Sequence, residues 1–312
     1  GPPLRLTLFR RADDDWVVIA TAHHIVVDFW SMVLMLREIG RLYESLVKGR
    51  DASLPPAPDN YASFVEVQRD LIRSPAGERL RRYWRKQLRD ASFCTEFPVD
   101  FVRPSQFTGR GSVVPIEFPP HLVENMTDLA AELRVTFPAL LSAIIQILVY
   151  RYTGQASFLI GTPFSGRLHR DFEETVGFFV NMLPLRADIS PDGTFTDIVK
   201  QAGRSFAEAL QHEALPLADI VRDSSSPHDT SRSPLFQVCC TFEKSHRKEE
   251  EGRAGYLING QTHRTNLGGL EQESFSVPIQ TCHCDLEFMF ERSSGGVSAL
   301  LCYCRDLFDR SS

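Results

Sequence analysis

The sequence predicts a fold of the α/β (α+β) class, and three stretches carry that prediction. Residues 16–22 are apolar and rich in β-branched side chains, which is typical of one short buried strand. Between Met32 and Leu46, apolar residues recur every three or four positions, which indicates an amphipathic helix. Residues 137–152 are so strongly apolar that we expect a helix buried on most sides.

The remaining elements follow from the same patterns in chain order. Alternating leucines predict a strand over residues 4–10, which forms a hairpin with residues 16–22 through the turn at residues 12–15. The helix after Met32 ends near Gly49, and a second helix opens at Asn60 and breaks at Ser74. Further helices are predicted over residues 80–88, 122–133 and 195–210, and further strands over 113–118, 157–162, 176–186, 235–242 and 282–291. An extended linker is predicted over residues 54–58, a charged loop over 243–252 and a closing turn over 293–296.

Composition excludes several classes of protein. A formal charge of −6 and the lack of a basic stripe with interleaved aromatics argue against a nucleic-acid surface. No apolar run approaches the roughly 20 residues that a membrane span requires. The first residues lack a basic segment followed by an apolar one, so they do not form a signal peptide. We therefore expect a cytoplasmic protein that binds neither nucleic acid nor membrane.

Seven cysteines raise the question of a metal site or disulfides. Two Cys-x-Cys pairs, Cys282/Cys284 and Cys302/Cys304, could together surround a zinc ion. Their spacing of two instead suggests small thiols on the apolar side of a strand, because alternate residues of a strand share a face. We expect buried free thiols, no metal and no disulfides.

The residues with the clearest chemistry lie where the second strand passes into the first helix. His24 can exchange a proton near neutral pH, and Asp28 can cap the following helix or orient a ring or a guanidinium. From these two residue types alone, packed histidines and an ordinary helix cap explain the pattern equally well.

The wider stretch is more specific. Residues 23–28 resemble the HHxxxDG motif of nonribosomal peptide synthetase condensation domains, with Phe29 in place of the motif's glycine. Residues resembling later motifs of that family follow in the family's order, at 60–64, 83–84, 161–167, 176–186, 212–216, 231–238 and 306–308. The resemblance extends through nearly the whole chain, but the family's opening motifs have no counterpart in it.

The resemblance implies a fold of two chloramphenicol-acetyltransferase-like subdomains arranged as a V, with a tunnel between them. Sequence breaks at residues 74–77 and 97–111 could each mark the boundary between them. We take the first break, which gives an incomplete first subdomain over residues 1–75 and a second over residues 76–312. We expect a chain that lacks its front part.

The resemblance also implies a reaction, in which the amine of a carrier-bound aminoacyl acceptor attacks a carrier-bound acyl or peptidyl thioester. No cofactor would be bound, since phosphopantetheine arms of donor and acceptor carrier proteins present the substrates. The other partners would be adjacent synthetase or hybrid polyketide synthase modules.

Within the motif, His24 would be the catalytic residue, beside His23, which we expect to pack against its surroundings. Asp28 would orient the loop, and Arg167 is its hypothetical partner unless it is a surface arginine. Asn181 is expected to satisfy backbone groups. The bulk of Phe29 would affect channel width or acceptor size.

Other functions stay open at this point. An epimerisation domain shares the two-histidine motif, and other acyltransferases share the superfamily. A non-catalytic module that docks carrier proteins is the alternative from a different class.

Overall fold

The computed structural model describes residues 1–52, 54, 59–244, 264–275, 277–293 and 296–312. Residues 55–58, 245–252 and 294–295, on which parts of the predicted linker, charged loop and closing turn fall, lie outside the described residues. The helices are α1 (Phe29–Val47), α2 (Tyr61–Arg73), α3 (Pro75–Gln87), α4 (Pro120–Glu132), α5 (Phe137–Thr153), α6 (Phe195–Gln211) and α7 (Leu217–Asp223). The strands are β1 (Leu4–Arg10), β2 (Trp16–Ala22), β3 (Gly111–Glu117), β4 (Ser157–Phe164), β5 (Asn181–Asp188), β6 (Val238–Lys244), β7 (Arg264–Leu267), β8 (Leu270–Glu273), β9 (Leu286–Ser293) and β10 (Gly296–Cys304).

The chain divides into two units that each draw on separated parts of the sequence. Unit 1 comprises Gly1–Asp70, Ser165–Val180 and Asn266–Gln272. Unit 2 comprises Leu71–Phe164, Asn181–Thr265 and Glu273–Ser312. The predicted subdomains are continuous, whereas these units are not. The predicted subdomain boundary after residue 75 stays a prediction.

Unit 1 is built on the β1–β2 hairpin and helix α1. The two strands pair antiparallel along their full length, from Leu4 opposite Ala22 to Arg10 opposite Trp16. After β2, six residues lead to α1, whose N-cap is Asp28. His24 therefore lies in the loop between this hairpin and the capped N-terminus of α1.

Unit 2 contains a six-stranded mixed sheet in the order β3-β10-β9-β6-β4-β5. The β4–β6 and β6–β9 pairs are parallel, whereas β3–β10, β10–β9 and β4–β5 are antiparallel. Helices α4, α5 and α6 contribute to a large hydrophobic cluster with residues of this sheet. As predicted, α5 is buried on most of its surface, including Leu140, Ala143 and Val149.

The predicted burial of the second strand is wrong. Trp16, Val18 and Ile19 of β2 are 51%, 58% and 44% exposed. Within the described residues β1 and β2 pair only with each other, so neither strand has a second neighbour in its sheet. A hydrophobic strand sequence specifies an extended backbone but does not guarantee a covering layer.

Three other predicted strands begin later than expected, and the one predicted over residues 235–242 begins at Val238. The strand predicted over residues 176–186 begins at Asn181, because the main chain before it bonds elsewhere in unit 1, as described below. The strand predicted over 282–291 begins at Leu286, whose N–H bonds to Gln237, while the N–H of Cys282 bonds to Gly109 outside that ladder. The four cysteines at 282, 284, 302 and 304 are nevertheless buried, as predicted, and their thiols are free.

Within the described residues, no single helix is long and apolar enough to cross a membrane. Helices α4 and α5 pass the length and composition test only as a pair, with a bend of 103° between them.

Candidate active site

His24 lies in the loop between β2 and α1, and the main chain fixes its tautomer. Its Nδ1 atom is 2.7 Å from the carbonyl oxygen of Val27. A carbonyl oxygen can only accept a hydrogen bond, so Nδ1 carries the hydrogen. In the neutral ring, Nε2 then holds the free lone pair, and it has no hydrogen-bond partner among the described residues. His24 is exposed, so Nε2 is available to a reacting group.

Asp28 is the buried anchor of this loop. Its Oδ1 atom accepts hydrogen bonds from the N–H of Ser31 at 2.8 Å and from the Ser31 hydroxyl at 2.7 Å. Its Oδ2 atom accepts one from the N–H of Phe179 at 3.1 Å, and its own N–H donates to Gly177. Only 5% of the residue is exposed. Asp28 thus caps α1 and ties segment 165–180 to the helix.

Arg167 forms the predicted ion pair with Asp28, at 3.1 Å between Nη2 and Oδ1. The arginine side chain is 2% exposed, so it is not a surface arginine. Its Nη1 donates to the carbonyls of Phe172 and Thr175 at 2.6 and 2.7 Å. Burial lowers the pKa of Arg167, while the charge of Asp28 and its hydrogen bond oppose that change. The guanidinium also lies 4.0 Å from the ring centroid of Phe179.

Ser31, which the sequence alone does not single out, completes this network. Its hydroxyl lies 2.8 Å from the Gly177 carbonyl as well as within reach of Asp28, and accepts from the Gly177 N–H at 3.0 Å and from Arg167 Nη2 at 2.9 Å. It is fully buried. The available signal was its position three residues after an aspartate N-cap, where a side chain can reach the cap.

Residues 176–179 form a loop whose main chain is hydrogen-bonded to this network. An added Cβ at Gly177 would meet Cδ2 of Tyr61 at 2.2 Å, so the tyrosine ring packs directly on the glycine. The Tyr61 hydroxyl donates to the Phe178 carbonyl at 2.6 Å. Burial and, to a lesser extent, the charge of Asp28 raise the pKa of Tyr61, which favours the protonated donor.

Phe178 is the residue of this segment whose ring contacts His24, the candidate base. Its ring centroid lies 5.2 Å from that of His24, and the two planes are 86° apart. Edge-to-face geometry at this distance is favourable for aromatic pairs. His24 is therefore held at Nδ1 by a carbonyl and across its ring by a phenyl group.

The other predicted site residues take different places. His23 does not pack as expected: it is exposed, with Nδ1 accepting from the N–H of Ile25 at 3.2 Å, because it follows the open end of the β1–β2 hairpin. Phe29 is half-buried as the first residue of α1.

Asn181, in unit 2, donates to the carbonyls of Glu213 and Leu215 and accepts from the N–H of Leu217. The prediction that Asn181 satisfies backbone groups is confirmed.

The described residues contain no group of three or more histidine, cysteine and acidic side chains that could hold a metal ion. Chemically, the site offers two exposed imidazoles, and His24 is the one whose Nδ1 donates to a carbonyl and whose Nε2 lone pair is open to a reacting group. The buried Asp28–Arg167 ion pair anchors its loop. That arrangement can accept a proton from a nucleophile.

Comparison with known proteins identifies the family of the chain. A family model described as the condensation domain matches residues 1–312. The chain is 31% identical over 314 residues to one of the linear gramicidin synthase proteins of Brevibacillus parabrevis, and 30% identical over 313 residues to malpinin synthetase of Mortierella alpina. Each alignment covers 100% of this chain and 4% of the relative, so the chain spans a small part of those synthetases.

Solved structures share the fold. The X-domain from teicoplanin biosynthesis matches with a TM-score of 0.85 at 23% identity, over 100% of this chain and 69% of that one. The four-domain nonribosomal peptide synthetase AB3403 matches with a TM-score of 0.84 at 23% identity, over 99% of this chain and 23% of that one. These matches confirm the predicted α/β class. Condensation domains of nonribosomal peptide synthetases are acyltransferases that form amide bonds between carrier-bound substrates. The chain belongs to the condensation domain family.

Proposed function

We propose that this chain joins a carrier-bound acyl or peptidyl donor to the amine of a carrier-bound aminoacyl acceptor, with His24 as the general base. The observation that carries the proposal is the His24 ring, whose Nδ1 is bound to Val27 and whose Nε2 is free and accessible. Asp28 and Arg167 would hold the loop that carries His24 in place through their buried ion pair.

The reaction follows from the chemistry of the two groups. The acceptor nitrogen attacks the thioester carbonyl carbon and becomes acidic as the new C–N bond forms. His24 Nε2 takes that proton. The C–S bond then breaks, the phosphopantetheine sulfur leaves with its electron pair, and the proton returns from Nε2 to that sulfur. The products are an amide and a free thiol.

The magnitudes indicate which effect dominates. An α-amine with a pKa near about 8 is partly neutral at pH 7 and needs little activation. A positioned general base typically contributes about 10²–10⁴-fold. Holding the two reactants together can supply about 7–11 kcal/mol, which is more. We therefore expect positioning to provide most of the rate enhancement and His24 a smaller share.

The proposed partners are a donor and an acceptor carrier protein with phosphopantetheine arms, and the adjacent synthetase or hybrid polyketide synthase modules. Family membership and the synthetase relatives support this proposal. We also propose a cytoplasmic location. It is supported by the free thiols of the described cysteines, since reducing compartments keep cysteines unpaired.

The test is the rate of amide formation by the intact synthetase carrying His24→Ala. The carrier proteins that flank this domain are loaded with a panel of aminoacyl groups, and the best pair is followed by intact-protein mass spectrometry. We expect a rate roughly 10²–10⁴-fold lower, but not zero, because only the base is lost. His121→Ala, which removes an exposed histidine of α4, serves as the control. Unchanged turnover of His24→Ala would refute the assignment of the base.

A non-catalytic carrier-docking module is the second candidate, and Phe29 at the motif's glycine position is the observation that favours it. The same assay separates the candidates. Carrier binding without an amide product by the unchanged protein supports docking, whereas inversion at the α-carbon without condensation supports an epimerase.

A further inference from the structure

The contact between Phe178 and His24 is not explained by the fold of unit 1 alone. Phe178 is 37% exposed, whereas its neighbour Phe179 is 3% exposed and packs in an aromatic cluster with Phe64 and Phe172. A phenyl group that leaves more than a third of its surface exposed contributes less to a core than a fully buried one does. Its ring contact is instead with the accessible imidazole of His24.

One hydrogen bond does not fix the orientation of an imidazole ring. The bond from Nδ1 to the Val27 carbonyl holds one edge of the His24 ring at 2.7 Å. The ring plane can still swing about that bond, and Nε2 moves with it. A second contact on another part of the ring is needed to define the direction of the Nε2 lone pair. Phe178 provides such a contact, with its ring at 86° to that of His24.

Phe178 is itself held on both sides by main-chain hydrogen bonds. Its carbonyl accepts from the Tyr61 hydroxyl at 2.6 Å. The N–H of the preceding residue, Gly177, donates to the Ser31 hydroxyl, and its carbonyl accepts from the Asp28 N–H. The following N–H, of Phe179, donates to Asp28. The phenyl group and the histidine loop are therefore anchored to the same terminus of α1.

We propose that Phe178 is a positioning residue for the reaction: it fixes the plane of the His24 imidazole and so aims Nε2 at the acceptor amine. This inference rests on the proposed role of His24 as the base. It adds a residue outside the two-histidine motif, 154 positions away in the sequence, whose ring acts on the reaction only through His24.

The first test compares three variants of the intact synthetase in the amide-formation assay. Phe178→Ala removes the ring and should lower the rate at saturating carrier protein by roughly 2- to 12-fold, the range expected for one aromatic pair. The KM for the carrier proteins should not change, since the ring contacts His24. Phe178→Tyr keeps the aromatic ring and should restore the rate. Phe101→Ala, which removes a 48% exposed phenyl group in unit 2, is the matched control and should have no effect.

A double-mutant cycle decides whether Phe178 acts through His24. In the His24→Ala background, Phe178→Ala should produce no further loss of rate. An equal loss in both backgrounds, or a change confined to KM, would overturn the inference and assign Phe178 a structural or substrate-contact role. An unchanged rate for Phe178→Ala with His24 intact would also overturn it. If His24→Ala alone leaves the rate unchanged, the proposed function fails instead, so the two failures are distinguishable.

Discussion

At the scale of single residues, the site rests on one buried ion pair. The side chains of Arg167 and Asp28 are 2% and 6% exposed, and the N–H groups of Ser31 and Phe179, the Ser31 hydroxyl and Arg167 Nη2 all donate to the carboxylate. Such a pair is held by hydrogen bonds as much as by charge, because burial removes hydration from both ions. The consequence is a loop with one well-defined position.

Replacing Asp28 by asparagine should be strongly destabilising. The amide would direct an N–H₂ group at the donors of Phe179 or Arg167 and would remove the ion-pair partner of the buried guanidinium. Removing one partner of a buried pair typically costs about 3–5 kcal/mol. The measurement is the free energy of unfolding in urea.

The matched control is Asp197→Asn, which alters an exposed capping box at the start of α6 and should lower the free energy of unfolding far less, because the asparagine oxygen can still accept the Thr194 hydrogen bonds in water. An Asp28→Asn protein with unchanged stability and normal turnover would contradict the anchoring role of the pair.

Ser31→Ala should remove the only side-chain partner that the Gly177 N–H has among the described residues. An unsatisfied buried N–H costs about 1–3 kcal/mol, and we expect a loss of unfolding free energy in that range. Ser63→Ala is the matched control, because Ser63 stands three residues after Asn60 at the start of α2 in the same cap arrangement. Ser63→Ala should change the free energy of unfolding by no more than about 0.5 kcal/mol. Equal effects for the two serines would show that Ser31 is an ordinary cap residue.

At the scale of elements, the sequence predicted which helices and strands form better than it predicted what they contact. Periodicity predicted α1, α5 and α6 nearly to their ends, since each amphipathic or apolar pattern reflects one buried face. It failed at residues 176–180, which have the composition of a strand. Hydrogen bonds to Asp28 and Ser31, which lie 151 and 146 positions earlier, occupy this backbone instead. No local pattern encodes a partner at that distance.

The candidate site shows the same limit. The sequence placed His24 and Asp28 at one turn, and the position of Arg167 at the end of a predicted strand suggested it as the partner of Asp28. That prediction assigned Arg167 to the second subdomain, whereas segment 165–180 belongs to unit 1. It gave no indication that Phe178 would contact His24, because an aromatic residue in an apolar run is indistinguishable from a core residue until its exposure is known.

Gly177→Ala should disrupt the loop of segment 176–179. The added methyl group would lie 2.2 Å from Tyr61 Cδ2 and 2.9 Å from Phe179 Cε2, so either a ring or the main chain must move. Overpacking of this kind typically costs about 1–3 kcal/mol. Unfolding in urea measures the loss. In a Tyr61→Ala background the same substitution should cost less, because the nearer ring is gone. An equal cost in both backgrounds would locate the strain elsewhere.

At the scale of the whole molecule, the two units differ in how their interiors are built. Unit 2 holds two extensive hydrophobic clusters on its six-stranded sheet, with Phe158, Leu159 and Ile160 of β4 completely buried. Unit 1 has the small aromatic cluster of Phe64, Phe172 and Phe179, together with the polar network around Asp28. Its interior therefore depends on directional contacts more than on buried apolar area.

This difference predicts unequal local stability, because segments with little buried apolar surface open at a lower free energy than core strands. In hydrogen–deuterium exchange followed by mass spectrometry, amides of β4 and β9 should stay protected longer than those of residues 165–180. Asp28→Asn should accelerate exchange in residues 165–180 while leaving β4 unchanged, since the Asp28 network lies within unit 1. Exchange of both regions at one common rate, and equal acceleration of both by Asp28→Asn, would instead mean that the units unfold as one cooperative structure. In that case the polar network would stabilise the whole chain as well as the position of His24.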